Sequence, residues 1–141
     1  MEAGMDEWAA ELRLNAEDVE ALERVADMDG PVVVVNLFAL RDQAEYDDDR
    51  DKPCSGVEAM LRYSAVSETR LAAAGGRFVH RGFGGHAIWG RAERWDLVVV
   101  AQYPTGAAVL ELFRDPLYLA AYRHRRAAMR EQRLILSPPL P

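Results

Sequence analysis

Arg81 lies between His80 and Gly82 in a stretch that alternates as a strand, where a charged side chain must reach water or find an anion. A guanidinium keeps its charge and can grip a carboxylate or enolate through two parallel hydrogen bonds. At a sheet rim the same residue would simply pair with Asp or Glu. Asn36 interrupts the run Val32-Val33-Val34-Val35. A buried amide left without partners costs ~1–3 kcal/mol, so this one either donates to a developing oxyanion or satisfies a bulge or loop carbonyl. His124 follows Leu117 and Ala121 at helical spacing, with Ala128 beyond it. On that apolar stripe it is either a general base with a tuned pKa or a satisfied core histidine. Arg81, Asn36 and His124 form the candidate catalytic set.

Tyr63, Tyr103, Tyr118 and Trp89 are candidate substrate contacts. Tyrosine hydroxyls serve as acid or anchor, although aromatics at such spacing also fill cores and interfaces. Other signals fail sharper tests. His80, His86 and His124 lack HxH or HxxxH spacing, so no metal site is expected. Glu45, Asp47, Asp48, Asp49 and Asp51 lack the central Gly and final Glu of an EF-hand and read as a solvated acidic loop. Gly82, Gly84 and Gly85 serve a turn, since no helix follows to present amides to a phosphate. Nothing marks Cys54 as a nucleophile. Arg123, Arg125, Arg126 and Arg130 form either a local anion patch or a surface salt-bridged to Glu131 and the acidic loop.

The elements that must hold these residues follow from periodicity. Residues 1–30 read as helical, with Asn15 and Asp18 as an N-terminal capping pair and Gly30-Pro31 as a stop. The valine run predicts a strand buried on both faces. Residues 41–56 read as a loop. From Val57 to Ala74 the pattern is helical, with Val57, Met60, Leu61, Ala65 and Leu71 on one face, and Gly75-Gly76 ends it. Strands are predicted at 77–83, at 86–90 across a Gly84-Gly85 turn, and at 95–103. A short helix at 105–113 is followed by one that Asp115-Pro116 starts and that runs to about Glu131. Leu134-Ile135-Leu136 is the final strand.

Composition sets the outer limits. The chain has 141 residues, of which 50% are hydrophobic, enough for one core and too few residues for two ordinary domains. A net charge of −6 argues against general nucleic-acid binding, which draws on Lys and Arg. A bilayer span needs ~20 apolar residues, and the run from Pro31 to Leu40 is shorter and broken by Asn36. The acidic start MEAGMDEW lacks the order of a secretory signal, and one cysteine suits a reducing compartment, so a cytoplasmic location is expected.

The predicted order is βαββαβ, the split-βαβ or ferredoxin-like arrangement: α+β, a four-stranded antiparallel sheet with helices on one face. An extra helix precedes it. The expected organisation is an N-terminal helical extension at 1–30, the main domain at 31–137 and a Pro-rich tail at 138–141. The bare sheet face would be buried against a second copy, giving a homodimer.

Several short motifs, in order, resemble a family. They are Pro31-Val32-Val33-Val34-Val35-Asn36-Leu37, the Tyr63 helix, Gly75-Gly76-Arg77, Arg81-Gly82, Trp95-Asp96, Tyr103-Pro104, Asp115-Pro116-Leu117-Tyr118 and His124-Arg125. Together they resemble the DUF1330 family of the dimeric α/β-barrel superfamily, over residues 31–137. The resemblance implies a dimer with a small-molecule pocket between helices and sheet. Relatives in that superfamily include cofactor-free monooxygenases, polyketide cyclases and muconolactone isomerases. By analogy, the expectation is a cofactor-independent enzyme of isomerase, cyclase or monooxygenase type acting on a carbonyl-bearing or aromatic metabolite, with secondary-metabolite biosynthesis as a setting. The competing expectation is a non-catalytic dimeric module that binds a small ligand or a protein.

Overall fold

The structure, a computed structural model, describes residues 6–141, so the first five residues of the acidic start and of the expected helical extension lie outside it. Nine elements follow in order: α1 (Glu7–Glu11), α2 (Ala16–Ala26), β1 (Val32–Leu40), α3 (Gly56–Ala73), β2 (Arg77–His86), β3 (Arg94–Tyr103), α4 (Gly106–Phe113), α5 (Pro116–Ala128) and β4 (Met129–Ser137). The strands form one antiparallel sheet in the order β2-β3-β1-β4. This is the expected α+β, ferredoxin-like arrangement.

Local chemistry explains most boundaries. Asn15 and Asp18 form a reciprocal capping box at α2, with N···O distances of 2.8 and 3.0 Å. Ser55 and Glu58 do the same at α3, which places that helix start at the end of the acidic loop. Asp115 Oδ1 accepts from the Leu117 and Tyr118 amides, and Pro116 follows it in the first turn of α5. Arg13 breaks the N-terminal helical stretch in two by taking a left-handed φ of 59°.

Alternation along β1 sets the layers. Val32, Val34, Asn36 and Phe38 are buried under the helices, while Val33, Val35 and Leu37 are half-buried on the opposite face. Register carries that bare face outward: Val35 pairs with Val100 on one side and Ile135 on the other. Trp8, Leu12 and Leu22 of the N-terminal helices join the same core as Val34, Leu112 and Tyr118. Gly106 permits this, because a Cβ there would run into the Val25 carbonyl, so α2 could not sit so close to α4.

Several boundary expectations are corrected. β2 continues through Gly84 and Gly85 to His86, and the reversal into β3 lies at 87–93. The helical face of α3 is rotated: Ala59, Met60, Tyr63, Ser67 and Leu71 are buried, whereas Val57, Leu61 and Ala65 are exposed. Propensity placed 129–131 in a helix, but α5 ends at Ala128 and β4 begins at Met129 with no intervening turn. Sheet pairing of Met129 and Glu131 with β1 outcompetes one more helical turn.

Candidate functional site

α5 turns Tyr118, Ala121, Tyr122, Arg125 and Ala128 inward, a stripe spaced at three and four residues. Arg125 is therefore a core residue, 4% exposed, and the expectation of an all-surface arginine cluster is corrected at this position. Its Nη1 donates to Tyr63 Oη at 3.1 Å and Tyr118 Oη at 3.4 Å. Nη2 donates to Asn36 Oδ1 at 3.3 Å, and Nε and Nη2 donate to Gln132 Oε1 at 3.0 and 2.8 Å. The guanidinium carbon lies 4.7 Å from the Phe38 ring centre and 5.3 Å from that of Tyr122. All these partners are neutral, and among the described residues no carboxylate pairs with Arg125. Burial opposes the charge, but the encircling tyrosines more than offset it and push the pKa further up, so the cation is permanent.

Beside this guanidinium is a cavity of about 80 Å³ between the sheet and α3, room for several waters or a small ligand fragment. The sheet contributes Asn36, Arg81 and Tyr103; the helices contribute Tyr63, Ser67 and Tyr118. Tyr63 and Tyr118 share a 2.8 Å hydrogen bond between hydroxyls. Desolvation pushes the pKa values of Tyr103 and Tyr118 well upward, so these phenols are donors and not bases. Asn36 is satisfied within the core, by a strand carbonyl and by Arg125, and its amide NH2 is spent on the first of these. Its Nδ2 donates to the Val99 carbonyl at 3.3 Å, and its Oδ1 faces Arg125 on the cavity wall.

Arg81 stands at the cavity mouth. Register sets it opposite Val99, its guanidinium carbon is 4.2 Å from the Phe78 ring centre, and it pairs with Glu68 of α3 while half exposed. Cavity and rim are one place for this residue. His124 is elsewhere. It is 9% exposed under the acidic loop, with Nδ1 2.6 Å from Tyr46 Oη, which also accepts from Arg62 at 3.1 Å. Burial, then Arg123, lowers its pKa, so it is neutral at pH 7. Trp89 is 91% exposed in the β2–β3 connection, away from the cavity walls. Around His124, Asp51 takes two hydrogen bonds from Arg123, and Asp47 lies 3.4 Å from both Arg13 and Arg126. The acidic loop is thus clamped onto α5 by charge, while Glu131 pairs with Arg133 instead. Among the described residues no group of three or more His, Cys, Asp or Glu could hold a metal ion, and no helix is long and apolar enough to cross a membrane.

The model of the family described as "Domain of unknown function (DUF1330)" matches residues 55–138, more than half of the chain. The chain belongs to the DUF1330 family. Tyr63, Arg81, Tyr103, Tyr118, Arg125 and Gln132 all lie in the matched segment; Asn36 precedes it. This DUF1330 chain is similar to the crystal structure of RPA0582, a protein of unknown function from Rhodopseudomonas palustris. They share 37% identity and a TM-score of 0.77, over 90% of this chain and 95% of that one. Two more distant structures share the fold. A dimeric ferredoxin-like protein of unknown function from Bacteroides fragilis is 17% identical, with a TM-score of 0.50 over 77% of this chain and 95% of that one. A dabb family protein from Mesorhizobium loti is 16% identical, with a TM-score of 0.50 over 80% and 100%. No curated protein matches the chain.

Two residues of this candidate site, Arg125 and Gln132, are not singled out by the sequence pattern. Arg125 reads as one of four clustered arginines, although the spacing from Tyr118 through Tyr122 marks it as inward. Gln132 gives no signal, because it falls between the predicted helix end near Glu131 and the predicted strand at 134–136.

Proposed function

We propose that this DUF1330 domain is a cofactor-independent enzyme acting on a small carbonyl-bearing or aromatic metabolite. In this reading Arg125 takes the negative charge of a carboxylate or enolate oxygen. The buried guanidinium, surrounded by neutral acceptors, carries the reading. A desolvated cation without a counter-ion is costly, and an anion arriving beside it in a medium of low dielectric gains far more than it would in water. Isomerisation, cyclisation and oxygenation at an enolisable carbon share a first step. A carbon-bound proton leaves, and its electron pair moves onto the carbonyl oxygen. Arg125 and the Tyr63 and Tyr118 hydroxyls are placed to hold that oxygen. Glu68, on the same cavity wall, is the carboxylate available to take the proton once a ligand displaces Arg81.

The reading includes a homodimer through the open sheet face, where Val33, Val35, Val98 and Val100 leave an apolar surface. The similar fold from Bacteroides fragilis is described as dimeric, which supports this. A cytoplasmic location belongs to the same reading, on the strength of a single thiol, Cys54.

Two observations favour the alternative of a binding module without chemistry: Glu68 is already engaged by Arg81, and the cavity's phenols are poor bases. Solvent deuterium exchange at the C3 methylene of phenylpyruvate, followed by NMR, separates the two. Exchange that Arg125→Met abolishes supports the enzyme. Binding without exchange supports the module, and no binding of any keto acid or aromatic acid overturns both.

A further inference from the structure

A trough of about 770 Å³ runs along the edge strand β4, roofed by α2. Its size falls in the range of small-molecule sites. Leu22 and Val25 line it from α2 and Met28 from the turn that follows, and Leu134 and Leu136 form its floor. Its inner end is built from Phe113, Tyr118, Leu134 and Arg125, which also bound the small cavity, so the two spaces share a wall. The wall has two chemically different sides. Nη1 of Arg125 is held by the tyrosines of the small cavity. The Nε–Nη2 edge, the pair of donors that matches a carboxylate in parallel, is held by the amide oxygen of Gln132, which lines only the trough. A neutral carbonyl therefore occupies the place of an anion at the inner end of a mostly apolar trough, whose lining also carries Arg13, Asp18 and Arg24.

We infer that the trough binds an amphipathic carboxylic acid, its carboxylate on the Nε–Nη2 edge of Arg125 in place of Gln132 and its hydrocarbon body under α2. This rests on the reading of Arg125 as an anion site and adds the class of ligand. Charge complementarity names the head group, and the apolar lining names the body. Among the described residues the one carboxylate on the lining, Asp18, is turned to the Asn15 amide in the capping box. On this account α2 is part of the binding site and sets the length of acid accepted.

The test is calorimetric titration with acetate, butanoate, hexanoate and octanoate. Affinity is expected to rise by up to about fourfold per methylene as each enters the trough. Ala21→Trp, on the roof, should cut octanoate affinity to near that of acetate and leave acetate unchanged. Met28→Glu, at an exposed position on the same roof, should do the same without a bulky insertion. Acid binding that depends on Arg125 but not on chain length overturns the trough and spares the anion site. A length dependence that neither roof variant changes also overturns the trough. No binding of any acid overturns both the trough and the anion site.

Discussion

Arg125 and Gln132 face each other across the junction of α5 and β4, with the amide oxygen 3.0 Å from Nε and 2.8 Å from Nη2. The helix runs into the strand without a turn, so residues seven apart in sequence meet side chain to side chain. A carboxylate at 132 would complete a buried ion pair with almost no change of shape. The natural chain has an amide there, which leaves the cation able to attract an anion from outside.

Gln132→Glu should therefore stabilise the fold and remove acid binding together. A charge pair replacing a charge–dipole contact at this depth is expected to raise the urea midpoint by an equivalent of ~1–2 kcal/mol, with carboxylate affinity falling at least tenfold. Chemical denaturation and titration with octanoate check both. A variant that binds acids as well as the parent would show that Arg125 is not their partner.

Tyr118 is fully buried, and its hydroxyl meets Tyr63 Oη at 2.8 Å and Arg125 at 3.4 Å. Tyr118→Phe keeps the packing and strips one partner from each neighbour. The expected loss is ~1–2 kcal/mol of stability by urea denaturation. A loss above ~4 kcal/mol would instead signal collapse of the arginine network.

Much of the fold was legible in the residues. The valine run of β1, the Asn15–Asp18 box and Asp115-Pro116 are local signals that tertiary structure did not override. Arg125 was hidden by a choice of phase. A stripe anchored on Leu117 puts His124 inward, while one anchored on Tyr118 puts Arg125 inward. In the structure Leu117 is exposed and Tyr118 is buried. Composition alone cannot choose, because the helix is charged on one side and the buried cation is one of those charges. His124 is nevertheless covered, because the acidic loop folds over it, a long-range contact that helical periodicity does not encode.

That loop should make stability fall in two stages on acidification. His124 has a depressed pKa from burial and from Arg123 and Arg62, with Asp51 opposing and Arg50 adding to the depression. The unfolded chain binds its proton first, so stability is intact above about pH 6.5 and declines as pH drops below it. Asp51 is depressed chiefly by its hydrogen bonds from Arg123, so its contribution is present above about pH 4 and is lost below. His124→Phe should flatten the first stage and leave the second. Urea midpoints measured from pH 8 to pH 3 report this, and an unchanged upper stage in the variant would assign it to another group.

At the cavity mouth, the ion pair between Arg81 and Glu68 is half exposed and contributes under ~1 kcal/mol to stability. Arg81→Ala should thus leave the melting temperature nearly unchanged. It should slow association of phenylpyruvate with the small cavity several-fold, with a weaker salt dependence, because one attracting charge is gone from that entrance. Stopped-flow titration over a range of salt reads this. A collapse of affinity as large as that of Arg125→Met would move Arg81 from the entrance to the centre of the site.

Val35 sits at the middle of the bare sheet face, between Val100 and Ile135. If that face meets its own copy about a twofold axis, Val35→Lys places two ammonium groups in one apolar interface, and neither has a carboxylate in its register neighbours. In an isolated protomer the same lysine would extend into water at little cost. Sedimentation equilibrium should therefore show a dimer for the parent chain and a folded monomer for the variant, with circular dichroism unchanged. A variant that remains dimeric would place the interface elsewhere. The exposed hairpin residues Ile88 and Trp89 would then be the next apolar surface to examine.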